Sequence, residues 1–177
     1  EQATHAAEVI KRLRSFLRKE PRRLQALNVA DVSREAVRLC AWEAAQAQVT
    51  IEQHMVYNLP PVYADRVLLE QVLLNLLRNA IDANREQHAG APSRVLISAD
   101  QQAGWLRIQV ADQGPGVAAE QLDGIFTPFT TSKPEGLGLG LSMSRSIVEG
   151  FGGTLQAHPG DTGGLILCCR LAPVASA

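Results

Sequence analysis

Two side-chain amides stand four residues apart in LLEQVLLNLLRNAIDA, residues 68–83: Asn75 and Asn79, with Asp82 three residues further on. Leucines dominate the segment, and Leu69, Leu73, Leu76, Leu77 and Ala80 mark a broad core face of one helix. Asn75 and Asn79 share a stripe beside that face, which Ala83 continues. A buried amide without a partner costs about 1–3 kcal/mol. Two readings follow. Either the amides hydrogen-bond nearby backbone, or they edge a cleft where their oxygens hold a hard divalent cation and its waters beside phosphates. Neutral oxygens suit Mg²⁺ shared with a triphosphate, because the ligand brings the negative charge.

A second candidate is Asp112-Gln113-Gly114-Pro115-Gly116, at the end of the strand-like WLRIQVAD. The carboxylate of Asp112 can accept a donor such as the exocyclic amine of adenine. Gly114 and Gly116 let a ligand approach the backbone. Alone, this pattern also fits a calcium loop or a plain turn. The third is IFTPFTTSKPEGLGLGLS, residues 125–142. Thr130, Thr131, Ser132 and Lys133 offer hydroxyls and a cation for phosphate. Gly136, Gly138 and Gly140 alternate with Leu137, Leu139 and Leu141, leaving backbone N–H groups to face an anion where the next helix begins. Phe126 and Phe129 either form a docking patch or anchor the loop to the core. The spacing matches neither GxGxxG nor GxxxxGK[ST], so dinucleotide-fingerprint and P-loop readings fail.

These stretches need elements to hold them. The spacing of Ala6, Val9, Leu13 and Phe16 predicts an N-terminal helix over about 1–20, ended by Pro21 and suited to a bundle or dimer seam. An extended stretch over 27–29 leads to a helix over about 33–47, capped by Asp31 or Ser33. Alternation predicts a strand over 49–56, with Val49, Ile51, Gln53 and Met55 on one face. Asp65 caps the long amide-bearing helix, which ends near Gln87 before Gly90 and Pro92. Two hairpins follow, 94–100 with 105–112 and 154–158 with 165–171, separated by a helix over about 139–150. The expected fold is an α/β two-layer sandwich, one mixed sheet with helices on one face, and a helical stub outside it. The tail after 172 reads as disordered.

Composition narrows the function. The chain has 177 residues, 46% apolar and 20% charged, with a formal net charge of -1. No global basic field points to nucleic acid or a membrane. The basic run KRLRSFLRKEPRR, residues 11–23, is either a partner patch or the solvated face of the first helix. Cys40, Cys168 and Cys169 have neither disulfide nor metal-ligand spacing and read as small apolar residues in a reducing compartment. There is no signal peptide and no 18-residue apolar run, and the sequence reads as a piece of something longer.

Taken together, the motifs resemble the catalytic ATP-binding domain of sensor histidine kinases, within the wider gyrase/Hsp90/MutL-type superfamily. LLNLLRNAIDA resembles the asparagine box, DQGPGV the first glycine box, IFTPFTTSK the phenylalanine box and GLGLGLS the second glycine box; the likeness covers residues 27–171. The pattern of the short loop is most similar to sensors of the dicarboxylate, nitrogen-regulation and FixL-like types. The resemblance implies a Bergerat-type fold binding ATP with Mg²⁺. It implies that Asn79 coordinates Mg²⁺ with help from Asn75, that Asp112 reads adenine while Gly114 and Gly116 make room for the base, and that Lys133 and the backbone at Gly138 and Gly140 hold phosphate. Asp82, Thr130, Thr131, Gly136 and Leu141 complete the implied nucleotide contacts, and Asn75, Asn79 and Lys133 the catalytic set. EVIKRLRSFLRK resembles the second helix of the dimerisation and phosphotransfer hairpin. His5, followed by Ala6-Ala7-Glu8, does not match the phosphoacceptor motif.

The implied organisation is a partial hairpin helix over 1–23 without its phosphoacceptor, a catalytic domain over 24–172 and a tail over 173–177. The implied activity is transfer of the ATP γ-phosphoryl group to a histidine of the hairpin and thence to a response-regulator aspartate. The partners are ATP or ADP, the protein's own hairpin, a receiver domain and a second copy in the intact protein, with no nucleic acid. The domain is expected in the cytoplasm, of a parent either soluble or membrane-anchored. An ATPase or a protein-serine kinase of the same superfamily is the alternative. The ATPase relatives carry a glutamate general base where this chain has Asn75, which cannot take a proton. A serine kinase of this kind usually lacks an attached dimerisation helix, and a non-enzymatic scaffold predicts degraded boxes.

Overall fold

The computed structural model describes residues 23–128 and 140–174, and the helix expected over 1–20 lies outside them. The described chain runs β1 (Leu24–Leu27), α1 (Val29–Leu39), α2 (Ala41–Gln46), β2 (Val49–Met55), β3 (Val62–Asp65), α3 (Arg66–Gln87), β4 (Ser93–Gln102), β5 (Trp105–Ala111), α4 (Gly140–Gly150), β6 (Thr154–Pro159) and β7 (Leu165–Leu171). Single 3₁₀ turns at Ala119–Gln121 and Gly124–Phe126 follow β5. Five strands form one sheet in the order β2-β4-β5-β7-β6. β2 pairs parallel to β4, and the remaining neighbours are antiparallel, so the sheet is mixed.

Alternation decides which side of the sheet is covered. Val95, Ile97 and Ala99 of β4, Leu106, Ile108 and Val110 of β5, and Leu167, Cys169 and Leu171 of β7 are buried against the helices. The helices answer with Leu69, Val72, Leu73, Leu76, Leu77, Ala80 and Ile81 of α3 and Ile147 and Val148 of α4. Each fully buried leucine contributes about 2 kcal/mol. The opposite face carries polar pairs: Arg107 of β5 donates from Nε and Nη2 to the two carboxylate oxygens of Asp100 on β4, at 2.9 and 2.7 Å. That contact holds the Asp100 carboxyl below its ordinary range.

Asp65 caps α3 as expected, its Oδ1 accepting the Leu68 N–H at 3.1 Å. Its Oδ2 also accepts the Arg23 N–H at 3.0 Å, tying the start of the described chain to the longest helix. The earlier boundaries need correction. The stretch expected to be extended over 27–29 is β1, ending at Leu27, and helix begins at Val29. The cap is Asn28, not Asp31 or Ser33: Asn28 has extended backbone and its Oδ1 accepts the Ala30 N–H at 2.9 Å. Asp31 instead pairs with Arg34, and Ser33 is fully buried. The single helix expected over 33–47 is two, parting at Cys40.

β3 is an element that the sequence reading passed over. Its four residues pair antiparallel with β1, Leu27 opposite Val62 and Leu24 opposite Asp65. The segment read as a tail joins this ribbon: Pro173 bridges to Val62, and the Val174 N–H donates to the Pro61 carbonyl at 2.8 Å. Among the described residues, no helix is long and apolar enough to cross a membrane.

Candidate functional site

The stripe beside the core face of α3 organises the site. Asn75, Asn79 and Asp82 are all half-buried on that helix. At 1.5 Å per residue, the eight steps from Asn75 to Ala83 span about 12 Å. The two ends of this span touch different elements. At the first, Asn75 Nδ2 donates to the buried Ser144 Oγ of α4 at 3.1 Å. Gly140, which opens α4, lies so near that a Cβ there would meet Asn75 Oδ1 at 2.6 Å. At the second, Gly114 packs on Ala83, where an added Cβ would meet the Ala83 Cβ at 2.6 Å. One face of α3 therefore runs from the start of α4 to the loop after β5, with Asn79 and Asp82 between. Asp82 also lies 3.8 Å from Arg85.

Asp112 closes β5, and its backbone N–H donates to the Leu165 carbonyl at 3.0 Å. Its Oδ1 accepts two backbone N–H groups, from Gly114 at 2.9 Å and from Leu165 at 3.0 Å. No donor meets its Oδ2 among the described residues, which leaves that oxygen for an outside donor. Burial pushes the Asp112 carboxyl above its ordinary value, and the two backbone donors pull the other way. Gly116 takes φ +77°, a backbone state that a side chain resists. Gly164, also at positive φ, packs on the Asp112 carbonyl. The glycines here thus serve close contacts within the protein.

Several predicted positions lie outside the described residues: Thr130, Thr131, Lys133, Gly136 and Gly138, with Phe129. Gly140 and Leu141 open α4 at the near end of the stripe. Phe126 is an anchor, 5% exposed, with the Arg145 guanidinium 4.0 Å from its ring centroid. Arg78, whose role the sequence left open, donates to Glu43 of α2 at 3.1 Å. A hollow of about 510 Å³ lies elsewhere, lined by Asp31, Arg34, Glu35, Arg38 and Arg66 among others. Each of its guanidiniums is paired, with Asp31, Glu35 or Glu70, so it offers an anion no uncommitted charge. The thiols are inert: all three cysteines are buried and free, and burial pushes Cys40 to about 11 and Cys169 to about 12.

Four residues escaped the sequence reading. Asn84 is fully buried at the end of α3 and bonded on every side. Its signal was available: a polar side chain seven residues after Leu77, on the core spacing. Gln113, Ser144 and Arg145 carried no such signal, since their importance lies in contacts between distant segments.

The arrangement suits a nucleotide, with a carboxylate oxygen for a base at one end and a glycine-opened helix start for phosphate at the other. Residues 64–174 match the family of histidine kinase-, DNA gyrase B- and HSP90-like ATPases. The chain belongs to this family. Its relatives include the C4-dicarboxylate transport sensor protein DctS of Rhodobacter capsulatus, 37% identical over 171 residues, which are 96% of this chain and 26% of that protein. Another is the sensor protein FixL of Bradyrhizobium diazoefficiens, 33% identical over 93% of this chain and 32% of that protein. Two of the sensor types that the loop pattern resembles are thus represented. Full-length ShkA, solved in complex with AMPPNP, superposes with a TM-score of 0.78 at 26% identity, over 98% of this chain and 36% of that one. The chain spans about a quarter to a third of the length of these curated relatives.

Like its structural neighbours, the chain has a mixed sheet packed with helices. The polar side chains along this face are Asn75, Asn79 and Asp82. Among the described residues, no three His, Cys, Asp or Glu side chains converge to hold a metal by themselves. Asn75 is turned toward α4 by its bond to Ser144.

Proposed function

We propose that this chain is the ATP-binding catalytic unit of a two-component sensor histidine kinase. The observation that carries the proposal is the pairing of Asp112, with one carboxylate oxygen uncommitted, and the asparagine stripe of α3 that runs from its loop to Gly140. In this reading Asp112 Oδ2 accepts the adenine amine, Gly116 leaves room beside the base, and the phosphates extend along α3 past Asp82 and Asn79 toward the start of α4. Asn79 holds Mg²⁺, supported by Asn75; Mg²⁺ supplies neutralisation of phosphate charge. Lys133, Thr130, Thr131 and the backbone at Gly136, Gly138 and Gly140 are the further phosphate contacts of this reading.

A histidine ring nitrogen of the dimerisation hairpin attacks the γ-phosphorus, the bond to the ADP oxygen breaks, and the ring gives up its proton to solvent. The phosphoryl group then passes to an aspartate of a receiver domain. Such a nitrogen is nucleophilic at neutral pH, so positioning and charge neutralisation carry most of the rate. Asn75 cannot accept a proton from water, which favours transfer over hydrolysis. In the intact protein the hairpin pairs with that of a second copy.

The test is calorimetric titration of ADP into the chain with and without Mg²⁺, repeated on Asn79→Ala. Tight binding that needs Mg²⁺, and the loss of that Mg²⁺ dependence in the variant, are expected. A variant that binds with unchanged Mg²⁺ dependence overturns the assignment of Asn79. Incubation with γ-labelled ATP and a separately supplied hairpin carrying a phosphoacceptor histidine should label the hairpin and leave the chain unlabelled.

A further inference from the structure

The loop that carries Asp112 is gripped by a network that neither the motif nor the proposed chemistry requires. Its centre is Asn84, fully buried in the last turns of α3. Asn84 spends both amide hydrogens on the start of β4, donating to Ser93 Oγ at 3.0 Å and to the Arg94 carbonyl at 2.8 Å. Its Oδ1 accepts the Gln113 N–H at 2.7 Å. Gln113 is held at two further points. Its carbonyl accepts from His88 Nε2 at 2.7 Å, and its side-chain Oε1 accepts the Arg94 N–H at 2.7 Å. Because the His88 partner is a carbonyl, Nε2 must carry the proton.

The consequence reaches Asp112 through the peptide it shares with Gln113. Fixing the Gln113 N–H fixes the plane of the Asp112–Gln113 peptide. The next N–H, of Gly114, shares its peptide plane with the Gln113 carbonyl that His88 holds, and it meets Asp112 Oδ1 at 2.9 Å. Gly114 itself rests on Ala83, the neighbour of Asn84 on α3. The helix thus grips two successive loop residues, one by contact and one by hydrogen bond. With Oδ1 occupied, only Oδ2 faces a ligand. A loop freed from Asn84 can turn Gln113 and Gly114, release Oδ1 and let the carboxylate rotate.

We propose that Asn84 is a positioning residue for base recognition, acting through Gln113, with His88 as its auxiliary, to present Asp112 Oδ2 in one orientation to the amino group of an adenine nucleotide. The proposal rests on the reading of Asp112 as the adenine acceptor. A merely structural Asn84 lowers stability and weakens all nucleotides alike. A positioning Asn84 sets the preference for the amine.

The measurement is the ratio of affinities for ADP and for purine riboside diphosphate, which lacks only the amine. Both are titrated with Mg²⁺ into the wild-type chain, Asp112→Ala, Asn84→Ala and His88→Ala, with circular dichroism to confirm folding. The wild type should prefer ADP, and Asp112→Ala should abolish the preference. Asn84→Ala should cut the ratio by about tenfold while affinity for the amine-free analogue stays within about twofold, the size expected for one misplaced hydrogen bond to a charged group. His88→Ala, on a partly exposed side chain, should cut it by about threefold, and decides the matter if Asn84→Ala does not fold. A folded Asn84→Ala with the wild-type ratio, beside an Asp112→Ala that has lost it, overturns the positioning role alone. The same follows from an unchanged His88→Ala where Asn84→Ala is unfolded. A wild-type chain with no amine preference overturns the reading of Asp112, and this inference with it.

Discussion

Two adjacent glycines offer a controlled perturbation of the Asp112 site. Gly163 and Gly164 both have left-handed backbone, φ +102° and +76°. Their surroundings differ. A Cβ on Gly163 would meet nothing within 4 Å, whereas one on Gly164 would lie 2.2 Å from the Asp112 carbonyl oxygen and 2.9 Å from its Oδ1. Alanine at either position costs about 1–2 kcal/mol for the left-handed backbone. At Gly164 the strand must also part from Asp112, which endangers the Asp112 N–H bond to the Leu165 carbonyl and the Leu165 N–H bond to Oδ1, each 3.0 Å. These are worth about 1 kcal/mol for the neutral pair and about 2 kcal/mol for the one to a carboxylate. Gly163→Ala should therefore cost about 1–2 kcal/mol and Gly164→Ala about 4–5 kcal/mol. With a urea m-value of about 2 kcal/mol/M, the midpoints fall by about 0.5–1 M and about 2–2.5 M. Urea melts followed by tryptophan fluorescence read both, and ADP titration at zero urea should show at least a tenfold loss for Gly164→Ala alone. Equal midpoint shifts in the two variants would refute the reasoning, because they would mean that the contact with Asp112 adds nothing to the backbone strain.

Other expectations follow from single contacts. Burial raises the Asp112 carboxyl above its ordinary 3.8. Between the unfolded and folded values the native state therefore holds the extra proton, and stability falls as pH rises through that window. Asp112→Asn should be more stable than wild type at pH 7, with the gap closing toward pH 4 in paired melts, while its ADP affinity falls by about 10–100-fold. Ala103 and Gly104, at φ +53° and +82°, join the paired residues Gln102 and Trp105 in a two-residue turn of the kind that favours Asn-Gly. Ala103→Asn should raise the melting temperature by about 2–4 °C. Arg145 sits over Phe126 and donates from Nε to the Leu155 carbonyl at 3.1 Å. Arg145→Ala should cost about 1–2 kcal/mol in urea, and Arg145→Lys, which keeps a cation over the ring, less.

The sequence was most informative where a pattern is local and repeated. Helical spacing alone marks five core positions on α3, and Leu69, Leu73, Leu76, Leu77 and Ala80 are all buried. The cap at Asp65 and both hairpins were equally legible, because caps and alternation act within a few residues. What escaped depends on long-range pairing. β3 is four residues long behind two prolines and becomes a strand only because β1 and Pro173 pair with it. The split at Cys40 has no glycine or proline to announce it. Asp31 looked like a cap, but Asn28, three residues earlier, had the backbone to be one. At the site, Asp112 and the amide stripe were visible as residue types, while Asn84, Gln113 and His88 gain their meaning only when the end of α3, the start of β4 and the loop meet.

Asn75 shows how one position can answer two demands. On the function proposed above, a side chain that cannot take a proton favours transfer over hydrolysis, and that argument needs only the residue type. The structure adds a second constraint, from packing. Nδ2 donates to Ser144 Oγ at 3.1 Å, and Oδ1 faces Gly140 at a distance that excludes even one added carbon on the glycine. A glutamate has no N–H to give Ser144, so the serine would have to reverse its hydrogen bond. Its extra methylene would press on the residue that opens α4. A general base at position 75 on this scaffold therefore requires Gly140 and Ser144 to move with it. The same side chain also seats α4, the helix that Gly140 opens.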